Sequence, residues 1–309
     1  MRCVVTGGLG FIGSHVVKAL READHEVFAV DLRSPDHPLN ICDTEAMTQF
    51  FKDKKPHYVF HLAGIADARD ALKNPTKAVA LNIGGTASVL EAARQTGVKR
   101  VIFASTCWVA NAMGPGLLDE NQPFSHEGGG HVYTTTKIAS EILMHDFQKL
   151  YGLPFTILRY GIPYGPGMWS GLVLRSFMEK ASQKQPLSIF GDGSAARRFV
   201  YVEDMAKAHV LALQDVAQNQ IYNLEGMRYV TVKELAELVS KMMGGVQITY
   251  TQEPTRVGEV TFFRKLISNN KAYMDLGWAP TTDLEEGVRR SIEAYKAEIA
   301  AKKPEAAKA

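Results

Sequence analysis

Short apolar runs alternate with longer amphipathic stretches through the first half of the chain. Each run is apolar through its middle, as expected for strands that are covered on both faces. This alternation predicts a parallel sheet with covering helices, an α/β fold. The predicted strands are Cys3–Thr6, Glu26–Asp31, Tyr58–Leu62, Val101–Ser105 and Phe155–Arg159, and the predicted helices lie near residues 11–23, 43–53, 76–96 and 132–150.

The pattern changes at residues 161–167, where glycine and proline recur. Shorter mixed elements follow, and a last amphipathic pattern predicts a helix near residues 283–296. We expect a first domain over residues 1–160, to which residues 199–224 return, and a smaller mixed α/β region over 161–309.

Charge and composition narrow the class of protein. Of the 309 residues, 46% are hydrophobic and 22% are charged, and the formal net charge is only +2. Proteins that bind nucleic acids or membrane surfaces usually concentrate basic residues on one face, so we expect neither partner. No apolar run approaches the ~20 residues that a membrane span requires.

The cysteines and the first residues indicate the compartment. The three cysteines lie far apart, and neither they nor the histidines have the spacing of a metal site or a disulfide framework. A strand-like run begins at Arg2, which leaves no room for a signal peptide. We therefore expect a cytoplasmic protein without a bound metal.

A glycine-rich turn follows the first predicted strand. Gly7, Gly10 and Gly13 stand between that strand and the first helix. Glycines at such a turn allow a pyrophosphate to approach the helix N-terminus closely. The turn therefore predicts a dinucleotide site.

Asp31 ends the second predicted strand and indicates which dinucleotide binds. A carboxylate at this position accepts hydrogen bonds from the ribose hydroxyls of NAD and repels a 2′-phosphate. Arg33 is the opposing signal, because an arginine there can accommodate NADP. We favour NAD, since Asp31 holds the strand end.

Tyr133 and Lys137 are the principal candidates for catalysis. Residues four apart share a helical face, so the ammonium is expected near the phenol, whose pKa it should lower. A tyrosine that takes a proton from an alcohol while a nicotinamide takes the hydride can oxidise that alcohol. The hydroxyls of Ser105 and Thr106 end the fourth strand, where one can bond the reacting oxygen.

Three other residues have simpler interpretations. We expect His61 to be a hydrogen-bonded structural histidine and Cys107 a small apolar filler. Trp108 is either the wall of a pocket or part of the core.

Taken together, these motifs resemble the extended short-chain dehydrogenase/reductase family, specifically its NAD-dependent epimerase/dehydratase branch that acts on nucleotide sugars. The resemblance covers nearly the whole chain. Its motifs are Thr6-Gly-Gly-Leu-Gly-Phe-Ile-Gly13, His61-Leu-Ala-Gly64, Asn82-Ile-Gly-Gly-Thr86, Phe103-Ala-Ser-Thr106, Tyr133-x-x-x-Lys137, Leu158-Arg-Tyr-Gly-Ile-Pro-Tyr-Gly-Pro-Gly167, Phe190-Gly-Asp-Gly193, Arg197-Arg-Phe-Val-Tyr-Val-Glu-Asp204 and Leu276-Gly-Trp-x-Pro280.

The resemblance implies a Rossmann-like doubly wound sheet that binds NAD, a substrate-binding region after it, and a homodimer paired through the helices at 76–96 and 132–150. It implies a catalytic trio of Tyr133, Lys137 and Thr106. The implied cofactor contacts are Gly7, Gly10, Phe11, Ile12, Gly13, Asp31, Leu32, Arg33, Asn40, Ile41, Leu62, Ala63, Gly64, Asn82, Ala104, Ser105, Tyr133, Lys137, Tyr160 and Ile162. The implied substrate contacts are Thr106, Trp108, Tyr133, Arg197 and Arg256, the two arginines binding phosphate or nucleotide.

Departures from the family pattern bear on the reaction. Sugar dehydratases usually carry Asp-Glu after the catalytic hydroxyl, and decarboxylases carry a Glu at the second position. Here the pair is Cys107-Trp108, and neither transfers protons usefully near neutral pH. Ile162, Arg198 and Val257 also replace the usual Asn, Asp and Pro, which points to an unusual substrate.

The sequence therefore predicts an NAD-dependent epimerase of a nucleotide-diphosphate sugar that acts at C4 through a transient keto sugar. One alternative is a nucleotide-sugar ketoreductase or dehydrogenase with an exchangeable NAD(P)(H). A second alternative is a non-catalytic NAD-binding scaffold, although such proteins commonly lose the tyrosine or the lysine that this chain retains.

Overall fold

The computed structural model describes residues 1–110, 116–125, 129–252 and 266–306. These residues form two compact units. The first comprises Met1–Gly161, Met205–Glu225 and residues 266–279 within its described parts, and the second comprises Ile162–Asp204 with residues 226–252 and 280–306.

Strands and helices are interspersed along the chain, with the following bounds. The strands are β1 (Arg2–Thr6), β2 (Glu26–Val30), β3 (Tyr58–His61), β4 (Arg100–Thr106), β5 (Leu117–Leu118), β6 (Phe155–Tyr160), β7 (Ile162–Tyr164), β8 (Leu187–Phe190), β9 (Ala196–Tyr201), β10 (Gln220–Leu224), β11 (Tyr229–Thr231), β12 (Ile248–Thr251) and β13 (Leu266–Ile267). The α-helices are α1 (Phe11–Glu22), α2 (Thr44–Lys54), α3 (Ala68–Lys73), α4 (Pro75–Val79), α5 (Gly85–Thr96), α6 (Val132–Tyr151), α7 (Val173–Ser182), α8 (Val202–Leu211), α9 (Val232–Met242), α10 (Asn270–Leu276) and α11 (Leu284–Ala306). Single turns of 3₁₀-helix cover Cys107–Ala110 and Asp215–Ala217.

The first unit is built on a six-stranded parallel sheet with the strand order β10-β6-β4-β3-β1-β2. The chain passes from β1 to β2 on one side and then to β3 on the other. Open sheets of this kind bind ligands at the carboxyl ends of the strands, where the order reverses. The predicted Rossmann-like fold class is confirmed.

The two faces of this sheet carry different packing. Alternate strand residues join α2, α5 and α6 in one hydrophobic core that includes Val59 and Ile157. On the opposite face, His209 of α8 packs its ring against Phe60 and Tyr160. The sheet is thus covered on both sides, which explains why its strands are apolar throughout.

The predicted helix over residues 76–96 is interrupted. A π-helical segment, Ala80–Gly84, separates α4 from α5. A π-helical turn inserts one extra residue into the hydrogen-bond pattern, and such turns occur frequently at functional sites. Here the segment carries Asn82, whose buried carboxamide bonds the backbone of Ile65.

The second unit contains a three-stranded sheet ordered β11-β9-β7 and the parallel pair β12-β8. The predicted helix near 283–296 is part of the longer α11, and the buried Asp204 carboxylate accepts bonds from Thr281 and Thr282 just before that helix. Among the helices that the structure describes, none is long and apolar enough to cross a membrane.

Candidate active site

The glycine turn lies at the carboxyl end of β1 and is closely packed. Gly7 has a φ of +70°, and a Cβ there would lie 2.8 Å from the backbone nitrogen of Ala63, just after β3. A Cβ at Gly13 would lie 2.0 Å from the carbonyl oxygen of Gly7. Only glycine fits at both positions. The turn therefore has the form that the sequence predicts, and it lies at the switch point of the sheet.

The N-terminus of α1 is suited to binding an anion. The helix begins at Phe11 and Ile12, its N-cap Gly10 offers no side-chain bond, and its first turn contains no acidic residue. Its first amide groups therefore remain available to phosphate oxygens. These residues fit the pyrophosphate of NAD.

Asp31 follows β2, and its carboxylate is already engaged with Arg33. The Asp31 Oδ1 accepts from the Arg33 backbone nitrogen at 3.0 Å and from its Nε at 3.2 Å. The other end of the guanidinium, Nη2, donates to the Leu9 carbonyl in the glycine turn at 3.3 Å. Arg33 therefore lies against Asp31 and the turn, while the neighbouring Leu32 is exposed.

The remaining predicted cofactor residues of the first unit occupy different surroundings. Asn40 accepts from the Cys42 nitrogen through Oδ1 at 3.0 Å, whereas Ile41 is a buried core residue. Leu62 and Ala63 donate their amides to the carbonyl and hydroxyl of Thr6. Gly64 lies close to Asn82: a Cβ at Gly64 would lie 2.9 Å from the Asn82 Oδ1.

His61 links the glycine turn to α5. Its Nδ1 lies 2.8 Å from the Thr6 Oγ1, and its Nε2 lies 3.1 Å from the Thr86 Oγ1. Burial, together with the charge of Lys137, lowers its pKa to about 3. The prediction of a hydrogen-bonded structural histidine is confirmed.

Thr106 and Tyr133 form the centre of the candidate site. The Thr106 Oγ1 accepts from the Trp108 backbone nitrogen at 3.2 Å, and the Thr106 hydroxyl is hydrogen-bonded to the Tyr133 phenol. The Trp108 ring packs edge-on to the Tyr133 ring, with 6.1 Å between centroids. The Thr106 hydroxyl and the Tyr133 phenol are thus direct hydrogen-bond partners.

The pKa of Tyr133 departs from the sequence-based expectation. Burial raises it to about 12, and the hydrogen bond from Thr106 lowers it only in part. Tyr133 as a whole residue is 9% exposed, so the cost of removing a phenolate from water dominates. The expected lowering by Lys137 is therefore wrong for this arrangement of the residues.

Lys137 is held by the strand that carries Thr106. Its Nζ donates to the Ala104 carbonyl at 2.8 Å and lies 4.8 Å from the centre of the Phe103 ring. Burial lowers the pKa of Lys137 to about 8, against the influence of Glu141, which raises it. The lysine is thus a fixed amine whose charge depends on its neighbours.

His131 starts the helix that carries both residues. Its Nδ1 accepts from the Thr134 backbone nitrogen at 3.2 Å, which makes it the N-cap of α6. Its ring packs against both Trp108 and Tyr133, at centroid distances of 5.0 and 6.0 Å. Sequence reasoning did not single out this residue; its place two positions before Tyr133 was the available signal.

Sequence reasoning also missed a buried polar cluster behind the catalytic residues. The Ser105 hydroxyl donates to the Glu141 carboxylate, which also receives the Arg159 guanidinium at 2.7 Å. The signal was present, since Glu141 lies four residues after Lys137 and eight after Tyr133. Ser105 was expected to contact the cofactor, and its hydroxyl is directed into this cluster.

Cys107 also lies in the interior of the first unit. Its Sγ donates to the Arg159 carbonyl at 3.1 Å and is hydrogen-bonded to Glu225. Burial, followed by the charge of Glu225, raises the pKa of the Cys107 thiol well above its usual value. Neither the thiol nor the Trp108 indole can transfer a proton near neutral pH.

Four further predicted residues lie after α6 in the sequence. Tyr160 is buried at the end of β6, with its hydroxyl 2.6 Å from the His209 Nε2. Ile162 and Arg197 belong to the second unit, in β7 and β9. Arg256 lies outside the described residues.

A glycine turn at the switch point of a parallel sheet, with a tyrosine and a lysine of one helix held against the end of β4, defines a short-chain dehydrogenase type of protein. The model of the NAD dependent epimerase/dehydratase family matches residues 3–224. The chain belongs to this family and uses its cofactor, NAD.

Curated relatives and solved structures match along most of the chain. A putative UDP-glucose 4-epimerase of Methanocaldococcus jannaschii is 32% identical over 305 residues, which cover 94% of this chain and 96% of the relative. The crystal structure of the UDP-glucose 4-epimerase of Thermotoga maritima with UDP-glucose has a TM-score of 0.87 at 31% identity, covering 97% of this chain and 100% of that chain. The UDP-glucose 4-epimerase of Thermus thermophilus in complex with NAD has a TM-score of 0.82 at 29% identity, covering 96% and 99%.

Proposed function

We propose that the protein is an NAD-dependent epimerase that inverts C4 of a nucleotide-diphosphate sugar, with a uridine-linked hexose as the first candidate. The similar proteins named above support the substrate class. The observation that carries the proposal is the hydrogen bond between Thr106 and Tyr133 beside the buried Cys107. This arrangement offers one proton acceptor and leaves the dehydratase acid–base pair without a counterpart in the two residues that follow Thr106.

In this mechanism the Tyr133 oxygen removes the proton of the C4 hydroxyl. The hydrogen bond between Thr106 and the phenol stabilises the phenolate, and Lys137 is held at the Ala104 carbonyl of the same strand end. NAD, held by the glycine turn and Asp31, would supply the acceptor and donor of the C4 hydride.

The second half of the reaction needs no new group. The keto sugar turns about its diphosphate, and Tyr133 gives its proton back to the C4 oxygen as the opposite face is reduced. No atom leaves the sugar, so no second acid and base are needed. This requirement agrees with the raised pKa of Cys107 and the indole of Trp108.

The supporting residues are assigned by the same proposal. Gly7, Gly10 and Gly13 hold the pyrophosphate at α1, and Asp31 binds the adenosine ribose. Residues 161–309 bind the sugar nucleotide, with Arg197 on its phosphates. These roles are predictions that rest on the motifs and on the positions described above.

We also propose a homodimer that pairs α5 and α6 with the same helices of a second copy. In support, α6 carries three large apolar side chains that are exposed: Ile142, Leu150 and Tyr151. Light scattering coupled to size exclusion should give twice the mass of the chain. Ile142→Glu should shift that mass toward the monomer, and a monomeric wild type would refute this part of the proposal.

A turnover assay tests the main proposal. The purified protein should interconvert two C4 epimers of a uridine-, thymidine- or guanosine-linked sugar with no NAD(H) added, and mass spectrometry should detect NAD released by denaturation. If turnover instead consumes stoichiometric NAD(P)H or NAD(P)⁺, the protein is a ketoreductase or dehydrogenase. If no sugar nucleotide reacts while NAD is bound, the scaffold alternative holds.

A further inference from the structure

Each of the last three residues of β4 contacts one face of α6. Residues four apart on a helix lie on the same face, so positions 133, 137 and 141 form a continuous row. Each faces one of the last three residues of the strand. The three pairs are Thr106 with Tyr133, the Ala104 carbonyl with Lys137, and Ser105 with Glu141.

The third pair is anchored by a buried ion pair. Arg159 of β6 donates to the Glu141 carboxylate through Nε at 3.1 Å and through Nη2 at 2.7 Å. The side chains are 4% and 0% exposed. Burying two charges is favourable only where geometry and further hydrogen bonds offset the loss of water. Here the Ser105 hydroxyl supplies such a bond, and it ties the pair to the strand.

The Glu141 charge also acts on its neighbour in the row. Burial disfavours the ammonium form of Lys137, and the Glu141 carboxylate one turn along opposes that effect. A negative charge fixed in a buried position is screened little by solvent. Arg159 keeps this charge in place, because the carboxylate has both of its oxygens bonded.

We propose that Glu141 is a positioning residue of the active site. Together with Arg159 and Ser105 it holds α6 against the end of β4, and its carboxylate places a negative charge one helical turn from the Lys137 amine. This inference rests on the proposed function, in which Lys137 works in its charged form.

Other ionisable groups surround Lys137 and do not replace this role. On its own helix, Tyr133 is an uncharged phenol in the protein without substrate, because burial raises its pKa to about 12. From β3, His61 stays neutral because burial lowers its pKa to about 3. From β6, Arg159 is positive and is paired with Glu141. Within the part of the chain that the structure describes, Glu141 is the group whose charge favours the ammonium of Lys137.

The test is a titration of Lys137 in Glu141→Gln, which keeps the shape of the side chain and removes its charge. Carbon-13 NMR of labelled lysines in the NAD-bound protein follows the amine, and Lys137→Met assigns the signal by its loss. We expect the midpoint to fall by about one pH unit. The alkaline limb of kcat should move by the same amount, so that activity above it falls about tenfold while KM stays within about twofold.

Glu298→Gln is the matched control. It removes a carboxylate that binds Arg175 at 2.6 Å in the second unit. We expect it to lower the melting temperature without moving the Lys137 midpoint or the pH profile. This control separates the loss of an ion pair from the loss of the charge beside Lys137.

The outcomes are distinguishable. A folded Glu141→Gln protein whose Lys137 midpoint equals that of the wild type overturns the proposal, even if its melting temperature falls. If Glu141→Gln does not fold, Glu141→Gln with Arg159→Met removes both buried charges, and the midpoint should still fall because Glu141 is the partner that acts on Lys137. A wild type that turns over no nucleotide sugar refutes the proposed function, but the titration still decides the role of Glu141.

Discussion

The amine of Lys137 donates to the backbone carbonyl of Ala104 over 2.8 Å, so the lysine is fixed to the strand that ends in Thr106. A helix spacing of four brings Lys137 near Tyr133, but this bond decides where the amine points. Its low exposure also has a cost, because a charged amine is less stable inside the protein than in water.

That cost predicts how stability depends on pH. The pKa of Lys137 is about 8 in the folded protein and 10.5 when it is unperturbed. Below pH 8 Lys137 is charged in both the folded and the unfolded protein, so the full cost of burying the charge is present. As the pH rises toward 10.5, the amine in the folded protein is already neutral, and this cost disappears. Lys137→Met should therefore be more stable than the wild type at pH 7 by about 2 kcal/mol, after loss of the Ala104 bond.

Urea unfolding at pH 7 and at pH 10 measures this difference, which should shrink at the higher pH. Lys149→Met changes an exposed lysine of the same helix and should show no such trend. A Lys137→Met advantage that is equal at both pH values would contradict the prediction.

Tyr133→Phe tests the role of the phenol. Without a group to take the C4 proton, turnover should fall by about 10²–10⁴-fold. Binding of NAD, followed by intrinsic fluorescence, should change little, because the ring and its packing against Trp108 remain. Tyr151→Phe, at the exposed end of α6, is the control and should keep full activity. Full activity in Tyr133→Phe would exclude the proposed base.

Thr106→Val and Thr106→Ser separate the hydroxyl from the shape of the side chain. The valine variant cannot donate to the Tyr133 phenol, and turnover should fall about 10- to 100-fold. Since the Thr106 bond lowers the pKa of Tyr133, its loss should also move the acid limb of kcat to higher pH. The serine variant should stay within about threefold of the wild type. Equal rates for the two variants would show that the hydroxyl has no role.

Gly13→Ala tests the glycine turn. The added Cβ would lie 2.0 Å from the Gly7 carbonyl oxygen, so the turn must open and the affinity for NAD should fall more than about tenfold. Gly84→Ala is the control. The backbone of Gly84 is already helical, and a Cβ there would have no atom within 4 Å. It should be neutral or stabilising by about 0.5–1 kcal/mol. Calorimetry with NAD measures the affinity; unaltered binding by Gly13→Ala would contradict the steric argument.

Asp31→Ala tests the choice of cofactor. It removes the acceptor for the ribose hydroxyls and frees the Arg33 guanidinium, which now pairs with Asp31 at 3.2 Å. The Kd for NAD should rise about tenfold, while the ratio of Kd values for NADP and NAD should fall. Asp36→Ala, an exposed carboxylate nearby, should change neither quantity. A constant ratio in Asp31→Ala would remove Asp31 from cofactor selection.

Features that depend on neighbours in sequence were predictable. The apolar strands and their helices predicted the parallel sheet, and the glycine spacing predicted the turn, because both follow from local sterics and from the period of burial. Tyr133 and Lys137 were recognised from their spacing of four on one predicted helix, and Thr106 from the resemblance of its motif to the family.

The sequence by itself therefore determined the fold class and the identity of the candidate catalytic groups. Only the tertiary structure decided their electrostatics: it buried Tyr133 and raised its pKa, turned Lys137 to Ala104, and placed Arg159 against Glu141. The reason is physical, because desolvation and buried charge pairs depend on every element that packs around a group. Arg159 and Glu141 are 18 positions apart in the sequence, and no local sequence pattern predicts their contact.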